Sequence, residues 1–358
     1  MNVTFKSFLL SAAKSLLFWA LAFLLFIAIR YNGLEEEMAI FTDEEFFLPS
    51  NVWYIYAIVL GVIIGIFYAI IEFLFDSYLN KRIALGLNIV IKSIIYFILI
   101  IILLSIISVL VEDEFDIDIS NDLGWWRKDH FFWNTVIYFN VASIVFSFIK
   151  IANNKFGRGV FFNMLIGRYR KPKEEERILM FLDLKDSTTI AEQLGHKRYS
   201  RYIQDCFFDL NTVLNKHEAE VYQYVGDEAV ISWTTKRGFK NNNCVHLFFA
   251  FQLQLNKREA YYLKTYNSFP VFKAGLHCGK LMIAEVGSLK KELAYHGDVI
   301  NTASRIQGLC NSYNASILIS DAVLNKLKSN NNLHSDSKGA IKLKGKESVT
   351  DIFEISIV

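Results

Sequence analysis

The sequence predicts two folds in series: a four-span α-helical membrane domain over residues 1–150 and an α+β domain over residues 178–358, joined by a segment at 151–177. Three observations predict this. Of the 358 residues, 53% are hydrophobic, too many for an ordinary soluble chain, and nearly all the excess precedes residue 150. Lysine and arginine alternate with acidic loops along that half, as they do around membrane spans. After residue 178 the pattern becomes short apolar runs alternating with amphipathic ones, the mark of strands and helices around one sheet.

Four apolar stretches, at roughly 8–29, 52–75, 83–111 and 131–151, reach the roughly 20 residues needed to cross a bilayer as helices. No small-residue cleavage signature follows the first, so it is not read as a removable signal peptide. Residues 30–51 carry Glu35, Glu36, Glu37, Asp43, Glu44 and Glu45. Residues 112–130 carry Glu112, Asp113, Glu114, Asp116, Asp118, Asp122 and Asp129. Lys81 and Arg82 fill the short loop between spans two and three, and Lys150, Lys155, Arg158, Arg168, Arg170, Lys171 and Lys173 follow span four. The basic residues set the orientation: both termini cytoplasmic in a cell inner (plasma) membrane, and both acidic loops outside. Trp53, Trp125, Trp126 and Trp133 stand at outer span ends as interfacial anchors. Lys14 and Glu72 lie near span ends, where snorkelling accounts for them, while Lys92 lies deeper and is a candidate functional charge.

A net charge of +2 offers no general basic surface, which excludes nucleic acid as an expected partner. Cys206, Cys244, Cys278 and Cys310 have no metal-ligand spacing and read as thiols of a reducing compartment. Residues 150–177 turn basic, suiting anionic inner-leaflet lipids. Within them Val160–Ile166 reads as a short amphipathic helix, for dimer packing or for the membrane surface.

In the second half, Ile178–Leu184 is a buried strand ending in acid, and a helix starts at Asp186-Ser187-Thr188-Thr189 and continues over 196–217. Ala219–Val225 and Ala229–Trp233 form a hairpin about Gly226-Asp227. A long helix is expected near 244–265. Val271–Cys278 and Leu281–Val286 are expected as two strands with a glycine turn between them. Asn301–Cys310 is a helix, Ser316–Ile319 a strand, Ala322–Lys328 a short helix, and the last strands flank Lys344-Gly345-Lys346.

Asp183 closes a strand and Asp227 sits in a hairpin turn. An acid weakens a strand and is costly to bury unpaired, so packing explains neither. Two such carboxylates at one sheet edge suit Mg²⁺, which takes one or two carboxylates plus substrate phosphates. Asp186, Ser187 and Thr188 place the N–H groups of a helix start nearby, a phosphate-binding end. The reading from residues alone is metal-assisted chemistry on a nucleoside triphosphate.

Downstream motifs make the reading specific. Phe181-Leu182-Asp183-Leu184-Lys185-Asp186-Ser187-Thr188, Tyr224-Val225-Gly226-Asp227-Glu228, Gly275-Leu276-His277-Cys278-Gly279, His296-Gly297-Asp298-Val299-Ile300-Asn301-Thr302-Ala303-Ser304-Arg305 and Leu343-Lys344-Gly345-Lys346 occur in that order. Residues 178–358 thereby resemble the catalytic domain of class III nucleotidyl cyclases, the adenylate and guanylate cyclase family. The resemblance implies a ferredoxin-like βαββαβ core and cyclisation of a triphosphate with release of pyrophosphate. It implies two Mg²⁺ or Mn²⁺ ions per site on Asp183 and Asp227, with the Leu184 carbonyl as a further ligand. It assigns Asn301 to the ribose, Arg305 to transition-state charge, and Lys344, with Lys346 as a substitute, to the terminal phosphates. Because family sites form between two catalytic domains and this chain holds one, the resemblance implies a homodimer with two equivalent sites.

The departure concerns the base. The two base-reading positions hold Gln223 and Ala294, whereas family adenylate cyclases commonly carry lysine and an acid or threonine there. A glutamine amide both donates and accepts, so adenine, guanine and pyrimidines stay open, ATP being the first choice as the commoner family activity. An inactive, nucleotide-binding scaffold is the reading from another class. A diguanylate cyclase would leave Asn301 and Arg305 without a role.

Overall fold

The computed structural model describes residues 3–31, 50–75, 85–115, 130–156, 160–289, 291–328, 332–342 and 349–357. The chain divides into two compact units, Met1–Lys155 and Phe156–Val358, each described by itself.

The first unit holds α1 (Val3–Tyr31), α2 (Ser50–Leu74), α3 (Leu85–Phe115) and α4 (His130–Phe156). All four contain windows of 18 or more residues long and apolar enough to cross a membrane. Apolar side chains such as Leu21, Ile58, Ile98 and Val141 cover their outer faces, the surface a lipid solvent requires. Inside, Trp19, Tyr68, Tyr96 and Phe139 are fully or almost fully buried, with the Tyr68 and Tyr96 rings stacked at 3.8 Å. Gly61 and Gly65 of α2 share one face. A Cβ on Gly61 would stand 2.6 Å from the Cα of Ala20, so bare backbone lets α1 and α2 touch. The Ser15 hydroxyl donates to the Gly65 carbonyl across that contact at 3.1 Å.

Glu72 does not snorkel, contrary to the sequence expectation. It is 2% exposed and accepts from Lys92 of α3 at 2.8 Å, from Tyr96 of the same helix at 2.6 Å, and from Lys150 of α4. A carboxylate in an apolar bundle is tolerable only when paired, and here two lysines from neighbouring helices reach it. Lys92 is thus a partner of Glu72. The acidic loops, except for Glu112, Asp113 and Glu114 at the end of α3, lie outside the described residues, as do Trp125 and Trp126.

The second unit opens with α5 (Val160–Leu165), a six-residue helix with no buried side chain, on which Phe162 and Leu165 are exposed. Then follow β1 (Lys173–Leu184), α6 (Ser187–Leu214), β2 (Glu220–Val225), β3 (Glu228–Thr234), α7 (Asn243–Lys257), α8 (Glu259–Tyr266), β4 (Phe272–Val286), β5 (Glu292–His296), α9 (Asp298–Gly308), β6 (Ile317–Ser320), α10 (Asp321–Leu324), β7 (Leu333–Lys342) and β8 (Val349–Ile357). The strands make one sheet in the order β2-β3-β1-β4-β6-β8-β7, with β5 added alongside β4. The run β2-β3-β1-β4 is antiparallel throughout and has the strand order of a ferredoxin-like βαββαβ core.

Alternation along β1 builds both faces of this sheet. Ile178, Met180, Leu182 and Leu184 enter the larger core with Tyr202, Leu210, Phe248 and Phe251 of α6 and α7. Leu179 and Phe181 point the other way, into a smaller core with Val299 and Ala303 of α9. Asp183 continues that second register. On the first face Asp209 of α6, 2% exposed, ties three helices together: it accepts from Gln254 at 3.0 Å, Arg258 at 2.9 Å and Tyr262 at 2.6 Å. Arg258 separates α7 from α8, where one helix was expected over 244–265; its non-helical backbone turns the chain and brings its guanidinium to Asp209.

The sharpest correction falls on Gly279. Residues 272–286 form a single fifteen-residue strand and not two strands about a glycine turn. Gly275 and Gly279 face α9 instead. A Cβ at Gly275 would stand 2.1 Å from the Gln307 backbone nitrogen, and one at Gly279 2.9 Å from a Val299 methyl. These glycines are there for close approach of a helix to a strand. β5 was not anticipated; it pairs Glu292–His296 with Met282–Val286.

Candidate active site

The register of the sheet brings the two aspartates together. Asp183 lies one residue before the end of β1, and β1 pairs with β3 through Leu182 and Ala229, two residues after Asp227. Gly226, at a φ of 62°, makes the β2–β3 turn, which suits a residue without a Cβ. Asp183, Asp227 and Glu228 are all half-buried there. Burial, and then the charge of Asp227, push the Asp183 carboxyl above its ordinary range, against the opposing pull of the Leu184 backbone N–H and the Gln307 amide. Burial, then Asp183 and Asp227, push Glu228 up to about 7.

Among the described residues no lysine or arginine forms an ion pair with any of the three. Nor do any three His, Cys, Asp or Glu side chains close into a complete metal cage there. Hard oxygen donors of one sign, half-buried together with no basic side chain paired to them among the described residues, fit a divalent cation whose remaining ligands come from elsewhere. The residues present therefore fit Mg²⁺ or Mn²⁺.

The start of α6 stands beside this cluster. Asp186 takes a left-handed backbone, φ 56°, and caps the helix without a side-chain bond, so the first-turn N–H groups at Ser187 and Thr188 have no side-chain cap. The helix is interrupted at Gly195, φ 69°, and Tyr199 then returns to the site, where burial followed by the Asp227 charge pushes its hydroxyl up against the opposing effect of Ser187. Tyr199 and Glu228 were not singled out from sequence. Tyr199 reads as an ordinary core position of an amphipathic helix, and Glu228 as part of a turn.

Asn301 and Arg305 lie four residues apart on α9, on one face of it, as their spacing requires. The opposite face, Thr302, Ala303 and Ile306, is buried against the sheet. Asn301 is exposed and Arg305 half-exposed, and among the described residues Arg305 forms no ion pair. Within the chain it is Gln307, two residues on, that reaches Asp183, its Nε2 donating to Oδ2 at 3.4 Å. Asn301 and Arg305 do not join the carboxylates of their own chain. Lys344 and Lys346 lie outside the described residues. A cavity of about 510 Å³ lined by Lys216, His217, Asn241, Asn242, Asn243, His246 and Lys328 holds none of these residues; it sits at the far end of β2 and β3.

Residues 170–354 match the model of the adenylate and guanylate cyclase catalytic domain, slightly more than half of the chain. The chain belongs to the adenylate and guanylate cyclase family. Adenylate cyclase 2 of Rhizobium meliloti (strain 1021) is 33% identical over 213 residues, covering 60% of this chain and 59% of that protein. Adenylate cyclase 1 of the same organism is 28% identical over 191 residues, covering 51% of this chain and 27% of that protein. The chain thus spans less than two thirds of the length of either relative. A bacterial light-regulated adenylyl cyclase superposes with a TM-score of 0.53 at 17% identity, over 64% of this chain and 67% of that one, a likeness of fold.

Gln223 is exposed on β2 beside a bulge, and Ala294 lies on β5 paired with Ala284. Their sequence neighbours bring the two strands together: the Tyr222 and Tyr295 rings stack at 4.1 Å, and the Tyr295 N–H donates to the Tyr222 hydroxyl at 3.1 Å.

Proposed function

We propose that the chain is a membrane-anchored nucleotidyl cyclase. It converts a nucleoside triphosphate, ATP first, to the 3′,5′-cyclic nucleotide and pyrophosphate at two sites shared between two copies of the chain. The observation that carries this reading is the separation within one chain of two half-sites. Asp183 and Asp227 gather at a sheet edge with no lysine or arginine paired to them among the described residues, while Asn301 and Arg305 face away from their own sheet. A second copy related by a two-fold axis supplies to each half what it lacks.

Asp183 and Asp227, with the Leu184 carbonyl, would hold the two Mg²⁺ or Mn²⁺ ions. Bound there, the ions neutralise triphosphate charge and activate the attacking 3′-hydroxyl. The uncapped start of α6 at Asp186, Ser187 and Thr188 offers N–H donors to phosphate oxygens, and Lys344 or Lys346 adds charge to the terminal phosphates. Asn301 orients the ribose, and the Arg305 guanidinium meets charge that grows on the phosphoryl oxygens in the transition state. Gln223 and Ala294 border the base. The helices α1–α4 hold two copies near one another in an inner membrane, with both termini cytoplasmic, as the lysine and arginine distribution supports.

The test is the full-length protein in detergent or nanodiscs, incubated with Mg²⁺ or Mn²⁺ and each of the four ribonucleoside triphosphates, with products identified by mass spectrometry. A cyclic product is expected, most abundantly from ATP. The absence of cyclic product from all four would overturn the reading. Because the purine-reading positions hold glutamine and alanine, a guanylate or pyrimidine cyclase is the second reading, which the same assay separates.

A further inference from the structure

Helix α9 carries two chemistries on two faces. Asn301 and Arg305 occupy the face turned from the sheet, whereas Gln307 lies roughly 200° around the helix from Arg305 and contacts Asp183 of its own chain. The place of Gln307 is tightly set: its backbone nitrogen and Cα rest on the bare backbone of Gly275, where a Cβ would stand at 2.1 and 2.5 Å. Gly275 in turn pairs with Phe181, two residues before Asp183, so one stretch of sheet locates both partners. Asp183 is a carboxylate crowded by Asp227 and Glu228, and the Gln307 amide is a neutral donor aimed at it.

We propose that Gln307 is a positioning residue for the metal site: it fixes the orientation of Asp183 from the helix that presents Asn301 and Arg305 to the other site of the dimer. The proposal rests on the cyclase reading above and deepens it. A neutral amide suits this task. It removes one of the rotational options of the carboxylate, leaves the second oxygen and the charge for a cation, and brings no positive charge to compete with it. Hydrogen-bond partners of metal ligands typically change affinity 10- to 100-fold when removed. Each α9 would then serve both sites, one through Asn301 and Arg305 and the other through Gln307.

The first experiment measures Mn²⁺ binding to the full-length protein by electron paramagnetic resonance, without nucleotide. Gln307→Leu keeps the volume and removes the donor, and Gln307→His restores a donor at similar reach. Weakening by about tenfold in Gln307→Leu, recovery in Gln307→His, and equal thermal midpoints are expected. Mn²⁺ binding by Gln307→Leu as tight as wild type would overturn the proposal, as would equal losses in both variants accompanied by a lowered midpoint. The result stands apart from activity, so failure of the cyclase assay and failure of this proposal are distinguishable.

A second experiment uses mixed dimers of Arg305→Ala chains with Asp183→Ala chains, which retain one complete site. Gln307→Leu added to the Arg305→Ala chain, which supplies the intact Asp183, should raise the Mn²⁺ concentration for half-maximal rate about tenfold. Added to the Asp183→Ala chain it should change nothing. The reverse pattern would mean that Gln307 serves the site of Arg305, and would overturn the proposal.

Discussion

The two units solve the problem of a buried carboxylate in opposite ways. In the membrane unit Glu72 is surrounded by its own chain: Lys92, Lys150 and Tyr96 come from α3 and α4 to meet it on α2. In the second unit Asp183, Asp227 and Glu228 crowd one sheet edge with no lysine or arginine paired to them among the described residues, and two of the three are raised by burial and by one another. A compensated carboxylate is complete within the chain and specifies how helices pack. An uncompensated, half-buried cluster is tolerated through solvent, a retained proton or a bound cation. The contrast separates a charge paired within its own chain from charges that the proposed reading assigns to a bound cation.

The largest effect should come from the uncompensated cluster. Asp183→Asn is expected to lower turnover on the order of a thousandfold or more while leaving the thermal midpoint equal to or above wild type, since it relieves repulsion. A fall in thermal stability would break the comparison. Arg305→Ala should lower turnover with little change in KM, because its contact strengthens in the transition state. Steady-state kinetics with the four triphosphates reads both.

The mirror experiment is Glu72→Leu, which strands the buried Lys92 and the half-buried Lys150. It should destabilise the membrane unit by about 3–5 kcal/mol, read by thermal unfolding in detergent. Adding Lys92→Met and Lys150→Met should recover most of that loss. If the triple variant is no better than the single one, Glu72 has a role beyond pairing.

Gly275→Ala should cost about 1–3 kcal/mol from overpacking against Gln307, and should also lower turnover by displacing α9. Gly61→Ala, by contrast, loosens α1 against α2 in the other unit and should leave the kinetics of detergent-solubilised protein unchanged.

The smallest effect concerns His217, 7% exposed, a buried group with no opposite charge paired to it among the described residues. Burial, followed by Lys216, pushes its imidazole down to about 4, with Asn243 acting the other way. The unfolded chain binds this proton below about pH 6.5 and the folded chain only near pH 4, so stability is full above the first value and falls as pH drops between them. The loss should reach roughly 1 kcal/mol at pH 5.5. His217→Leu should flatten that acid limb in denaturation curves.

Much of this was legible in sequence, for physical reasons. Spans of about 20 apolar residues have one solution in a bilayer, and Ile178–Leu184, apolar on both faces, has to be a central strand. Asp183 and Asp227 stood out because acids at strand ends are poorly explained by packing, whereas Asn301 and Arg305 were singled out only through the family motif around them, with which their four-residue spacing agrees. Glycine was the point of failure. Gly279 between two apolar runs reads as a turn, and only the third dimension shows that its missing side chain makes room for Val299. β5 escaped notice because Glu292–His296 is only partly buried and carries little apolar alternation. Glu72 looked like a span-end charge because its partners are 20 and 78 residues away. Gln307 gives no signal at all, since a glutamine on a helix is ordinary until its neighbour across space is known.

Gly275 and Gly279 have a mechanical consequence. Most helices rest on a sheet through a layer of side chains that can change rotamer and absorb a displacement. Here α9 is seated on peptide backbone at Gly275, with no such cushion beneath it. Strand β4 and the helix then behave as one stiff part, and a shift or twist of the strand moves Arg305 by nearly the same amount. The sheet and the helix that carries Arg305 then respond together to displacements well below the size of a side chain.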